Sequence, residues 1–397
     1  MTAHLEQWLG LVLRWAHVIV GVSWIGTSFY FNWLNARIAP PGTPEPGVSG
    51  ELWSVHGGGF YRVVKYSAAP PRLPPALHWF KWEAYATWWT GLSLLVLVYY
   101  VGAREYLLDP SVSTIPAAGG IAIGVITLVV SWLVYDVLCR SPLGGRPVLL
   151  AALGLALVTT LAWGLSHVMS ARAAYLHVGA ALGTIMAANV FRVIIPAQRE
   201  MVAALTAGQT PDAARGRHAA LRSLHNNYLT LPTLFVMVSS HYPATYGSPW
   251  GWAILAALFT IGVLVRHWFN LRNAGRRNAW LLPAAALGLV ALAMATAPSR
   301  EAGPGEPGGQ PAPFAEVRVV IARRCAPCHS AAPTYPGITA APAGVAFDTP
   351  QQMHGKADRI LDRAVTTRTM PLANLTGITD AERDLLRHWV EAGAPLR

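Results

Sequence analysis

Eight apolar runs of membrane-spanning length recur in this 397-residue chain, at roughly 8–34, 84–102, 117–138, 148–167, 172–195, 228–242, 250–268 and 280–298. A span needs about 20 apolar residues. Backbone in hydrocarbon must satisfy its own hydrogen bonds, which favours helices. The sixth run is short and carries Pro232. Charged residues make up 12% of the chain, roughly half the share of a soluble domain. The expected fold class is all-α: a polytopic membrane helix bundle of about eight spans with a C-terminal soluble all-α domain. The first run lacks a basic flank and is too long for a cleavable signal. Aromatic residues cluster at run ends, as at Trp79, Trp82, Trp88, Trp89, Tyr99 and Tyr100, which suits an interfacial belt.

Loop charge predicts orientation. Segments 35–83, 139–147, 196–227 and 266–279 hold nearly all the loop Lys and Arg of the first 300 residues, whereas the alternate loops carry only Arg104 and Arg172. By the positive-inside rule the first set is cytoplasmic. Eight spans then place both termini outside the bacterial inner membrane. These loops also account for most of the net charge of +11. No basic face interleaved with aromatics calls for a nucleic-acid partner.

Cys325-Ala326-Pro327-Cys328-His329 has the C-x-x-C-H form of a c-type haem attachment site. Cys325 and Cys328 would bond one haem covalently, and His329 would be the proximal iron ligand. Zinc would need further thiol or imidazole ligands, and the remaining cysteine is Cys139 alone. Met370, in Thr369-Met370-Pro371, is the favoured sixth ligand and Met353 its competitor. Covalent haem is attached outside the cytoplasm, so this motif and the loop charge independently place the C-terminal part on the same, periplasmic side. The expected division is 1–298 in the membrane, a Gly/Pro linker at 299–313 and a haem domain at 314–397. Its last helix should start at Thr379, with Glu382 three residues on as a capping box. That helix should bury Leu385, Leu386, Trp389 and Val390 and end at Gly393.

Intramembrane ionisable residues are costly and therefore functional candidates. His17, His177, His167 and His241 could meet at one level near the outer face, and His17 and His177 are candidate ligands of a second haem, of b type. Gly179 and Gly183 would allow close approach of a helix or a macrocycle. At the inner face, Asn189 with Arg192, or the His56–Tyr61 loop with His78 and Glu83, are alternative sites for a polar substrate, and at the outer face Arg14 is the candidate. Glu83 is the candidate general base. Asp136 and Arg140 are spaced to pair on one helix face. The segment around Leu52–Tyr61 reads as a strand or hairpin.

Taken together, these stretches resemble the bacterial membrane-bound urate hydroxylases, the cytochrome c-linked urate oxidases. The resemblance is carried by Leu13–His17, Val22–Tyr30, Glu51–Tyr61, Leu77–Ala84, His177–Ala180, Met186–Phe191, Ile195–Gln198, Cys325–His329 and Met370-Pro371. It implies an eight-span domain fused to a cytochrome c. It also implies conversion of urate to 5-hydroxyisourate, with electrons leaving through the haem toward a soluble cytochrome c or a terminal oxidase. Span 1 is also similar to the His-x6-Trp-x-Gly helix of small membrane haem-b proteins, which again implicates His17. The rival readings are an electron-transfer subunit with no small-molecule substrate, and a transporter with a regulatory cytochrome tail.

Overall fold

The computed structural model describes residues 2–67, 70, 72–297, 312–338 and 340–397. Each apolar run becomes a helix. The first, α1, spans Thr2–Arg37. An antiparallel hairpin follows, β1 (Val48–His56) and β2 (Gly59–Tyr66), with His56 opposite Gly59. The turn needs Gly57 and Gly58, whose φ values are 56° and 82°, because two-residue hairpin turns put positive φ at both central positions. The hairpin is the one departure from helix among the described regular elements.

Helix α2 (Trp82–Leu95) continues through wide π-type turns at Val96–Val101 and Ala103–Leu107. Then come α3 (Ala117–Arg140), α4 (Pro147–Ser166) and α5 (Ala171–Asn189). Through the π-type turn Val190–Ile194, α5 runs into α6 (Ile195–Thr206). Next are α7 (Ala213–Ser239), the short α8 (Pro243–Tyr246), α9 (Gly251–Asn273) and α10 (Leu281–Ala295). Among the described residues six helices are long and apolar enough to cross a membrane. The two other expected spans are helical without meeting that standard. Helix α7 is polar over its first half, and α10 is short. Segment 196–227, read from its charge as a loop, is helical apart from a brief connection, because α6 and the first half of α7 occupy it.

Helix α5 is the axis of the bundle. Ala173, Ala174, Val178, Ala181, Leu182 and Ile185 are all buried, in contact with α3, α4 and α7. Gly179 lets α7 approach: a Cβ there would lie 2.5 Å from Val236 Cγ1. Gly183 faces open space instead and serves no close contact. Outer faces such as Trp15, Val22, Val137 and Leu287 are exposed apolar surface, which suits lipid contact.

The expected linker lies, through residue 311, outside the described residues. Beyond it, α11 (Phe314–Arg324), α12 (Pro350–His354), α13 (Ala357–Ile360) and α14 (Asp380–Glu391) enclose a second core. Thr379 and Glu382 form the expected capping box. Leu386 and Trp389 are fully buried, and Trp389 stacks on Phe314 at 6.0 Å between centroids. Gly393 ends the helix with φ 86°. Trp389→Ala should destabilise this tail by about 3–5 kcal/mol, the usual cost of emptying a large aromatic site. The check is a lower unfolding midpoint of the tail in the purified full-length protein.

Candidate functional site

Polar groups gather at the two ends of the bundle. At the hairpin end, α7 presents Arg222, which is completely buried. Its Nη2 donates to Asp136 Oδ1 on α3 at 2.7 Å, and its Nη1 donates to Asn189 Oδ1 on α5 at 3.2 Å. Asn189 Nδ2 donates to Asn226 Oδ1 (2.9 Å) and to the Tyr135 hydroxyl (3.1 Å). That hydroxyl also hydrogen-bonds His225 Nδ1 at 2.8 Å. Arg140 closes on the second carboxylate oxygen of Asp136 at 2.7 Å, the expected i,i+4 pair.

The network ties α3, α5 and α7 together and uses up Asn189. An amide offers two N–H donors and one carbonyl, and all three already have protein partners. Arg192 is exposed, with its guanidinium over the Phe191 ring at 5.3 Å. It lines a cavity of about 460 Å³ with Arg140, Arg215 and His218. Asn189 and Arg192 therefore do not form one fork, although they lie three residues apart. His78 is exposed with its ring edge against Phe80, and the Glu83 carboxylate has no hydrogen bond or ion pair among the described residues. Of the two alternative inner-face sites, the Asn189–Arg192 fork is thus not formed, and His78 and Glu83 make no hydrogen bond to each other among the described residues. The organising residue, Arg222, escaped notice because its stretch reads as a basic loop.

The histidines do not meet at one level either. His17 Nδ1 bonds Thr90 Oγ1 at 2.9 Å, whereas His177 Nε2 bonds the Tyr100 hydroxyl at 3.3 Å. Thr90 and Tyr100 lie ten residues apart on α2 and its continuation, which is about 15 Å at 1.5 Å per residue. His177 Nδ1 is also held, by the Ala173 carbonyl at 2.8 Å. His167 lies against Trp163 with the rings tilted by 51°, and His241 is exposed. His17 and His177 do not fit as the two axial ligands of one haem b.

At the opposite end, the tail packs on the loops between spans. A Cβ on Gly247 would lie 2.7 Å from Thr367 Cβ. A cavity of about 870 Å³ lies between the two parts, lined by Arg172, Tyr175 and Asp109 of the bundle and by Met370, Arg363 and Arg383 of the tail. Within the tail, Cys325 and Cys328 are free thiols. Burial, then the neighbouring Cys328, pushes the Cys325 thiol up to about 12; it is not poised as a thiolate metal ligand. His329 Nδ1 bonds the Val345 carbonyl at 3.0 Å, which orients the ring and leaves Nε2 for iron. Met353 is buried in the tail core, and Met370 is the methionine that reaches the cavity. Cys325, Cys328 and His329 are the donor types that a covalently attached haem needs; the cavity that Met370 reaches is not lined by any of the three.

Arg324, next to Cys325, bonds Glu382 of α14 at 3.0 Å. Burial opposes charge on Glu382, but the Thr379 backbone N–H and Arg324 outweigh it and hold the carboxyl below its ordinary value of 4.5. A depressed carboxylate stabilises the fold above its unfolded value, and that stability is lost as pH falls through its folded value. The tail midpoint should therefore be flat above about pH 5 and fall below it, with the fall reduced in Glu382→Gln; acid titration of the unfolding transition checks this. Arg222→Ala should destabilise the bundle by about 3 kcal/mol, because it takes one of two cations from Asp136 and leaves the buried Asn189 Oδ1 without its donor. Thermal unfolding in detergent measures that loss.

The family model described as Urate oxidase N-terminal matches residues 3–297, the whole bundle and none of the tail. No curated protein matches the chain, and no solved structure does.

Proposed function

From the chain's membership of the urate oxidase N-terminal family, we propose that the bundle oxidises urate and that the tail receives the electrons on a c-type haem. The reaction is urate plus water giving 5-hydroxyisourate, two protons and two electrons. Cys325 and Cys328 would carry the haem through thioether bonds, with His329 and Met370 as axial ligands. Bound there, haem supplies one-electron acceptance at a potential raised by the thioether ligand.

The observation that carries this reading is the 870 Å³ cavity at the tail end of the bundle. Met370 lines it from the tail, and Arg172 and Tyr175 line it from the bundle. Met370 on this wall would connect the tail's electron acceptor to the bundle. Tyr175 is locked there, since its hydroxyl lies 2.7 Å from the Thr245 carbonyl and 2.6 Å from that of Gly251. The wall is therefore rigid. Tail residues Arg363 and Arg383 add positive charge to the same space. His329, with Nδ1 on the Val345 carbonyl, would present Nε2 to the iron.

The arrangement suits the bacterial inner membrane, with the basic loops on the cytoplasmic side and the tail outside. A soluble cytochrome c or a terminal oxidase would then accept electrons from the tail.

The test is to add urate to the purified protein without oxygen and follow haem absorption at the Fe(II) band. Wild type should be reduced promptly. Met370→Ala should be reduced at least about tenfold more slowly, because removing the thioether lowers the potential. Reduction by a quinol but not by urate would make the protein a relay and overturn the reading.

A further inference from the structure

The cavity of about 870 Å³ between bundle and tail falls in the range of roughly 300–1,000 Å³ usual for small-molecule sites. None of Cys325, Cys328 and His329 lines it, so it is space additional to the haem attachment residues. Arg172, on its bundle side, is the second residue of α5, just after the N-cap Ser170. Ser170 and Ala171 line the cavity with it. A guanidinium in the first turn faces the positive end of the helix dipole, where a cation costs stability and an anion is favoured. Arg172 nevertheless makes no ion pair among the described residues, and its Nε is buried without a hydrogen bond. The tail brings a second guanidinium, Arg363, whose ion pair is with its own neighbour Asp362. Burial raises the Tyr246 phenol, and Arg172 and Arg363 oppose the rise. The two cations therefore approach one ring from the two parts of the chain.

We infer that this cavity holds the planar oxopurine anion that is oxidised, between Arg172 of the bundle and Arg363 of the tail and beside Met370. This rests on the urate-oxidising reading above and names the place where that substrate sits. The lining carries groups that such a molecule answers. Its carbonyl oxygens accept from the guanidiniums, whose planar fork suits a planar edge. Its ring N–H groups donate to Glu105 and Asp109, whose carboxylates line the same space with no ion-pair partner among the described residues. Tyr106 and Trp252 add aromatic surface to the lining.

Urate and water give 5-hydroxyisourate, two protons and two electrons. The electrons leave singly to the haem acceptor on the tail and on to the external cytochrome or oxidase. The protons go to Glu105 and Asp109 and then to water. Oxidation here asks for no redox centre inside the bundle, in keeping with His17 and His177 not fitting as ligands of one haem.

The experiment measures urate binding by anaerobic equilibrium dialysis. It uses detergent-purified full-length protein held reduced with dithionite, so that urate binds without turning over. Haem reduction by urate from the oxidised state is followed alongside. Arg172→Gln should raise the urate Kd about 30-fold, as loss of a charge-assisted hydrogen bond does, and Arg172→Lys should recover part of that loss. Arg363→Gln removes a more exposed cation and should raise Kd about fivefold. Arg192→Gln, in the cavity at the other end of the bundle, should bind like wild type. Each variant should keep the wild-type spectrum of reduced haem, which shows the tail intact, and millimolar phosphate should leave urate bound. Unchanged affinity in Arg172→Gln and Arg363→Gln, with wild type still binding urate and reduced by it, would sink this site and leave the function standing. Loss of binding in Arg192→Gln alone would do the same, by moving the substrate to the inner end. Loss in Arg172→Gln with no change in Arg363→Gln would confine the site to the bundle and overturn its shared character. Displacement by phosphate would reduce it to a general anion pocket. Wild type that neither binds urate nor is reduced by it would overturn the function itself, and the site with it.

Discussion

The guanidinium of Arg222 holds the bundle in register. Three helices meet on it: α7 supplies it, α3 answers with Asp136 and α5 with Asn189. A charge so deep is tolerable only when it is paired and hydrogen-bonded, and Arg222 has a carboxylate, an amide and an imidazole around it. Because α5 is the buried axis, fixing its hairpin end against α3 and α7 also fixes the directions in which its neighbours project. The opposite face of α7 thereby turns Asn227 toward Arg266.

Adjacent residues on one helix thus serve different ends. Asn226 completes the satisfied network, while Asn227, its neighbour, belongs to the unsatisfied one. Arg266 also lies fifteen residues along α9 from Gly251, which borders the tail cavity, or about 22 Å. His17 and His177 are held at different levels of the bundle, one by Thr90 and the other by Tyr100.

Much of the fold was legible because its signals are local. Apolar run length marks the helices, Gly57-Gly58 marks the hairpin turn, and Thr379 with Glu382 marks the start of α14. Each rests on a few neighbouring residues and the geometry of one element. The segment 196–227 misled for the same reason. Its arginines and histidines read as a solvated loop, whereas α7 carries several of them into the protein, where Arg222 finds Asp136. Asn189 and Arg192 show the other limit. Three residues apart on a helix places them near one another, but a π-type turn at Val190–Ile194 intervenes and their side chains part.

By itself, the sequence determined the helical character of the chain, the Cys325–His329 attachment signature with its tail helix, and the family likeness, since each depends on residues close together along the chain. Only the tertiary structure decided which buried cation is paired and which is open, which methionine reaches the cavity, and that the histidines lie at different depths. Those outcomes depend on contacts between helices far apart in sequence, set by side-chain packing and hydrogen-bond saturation that no local pattern encodes.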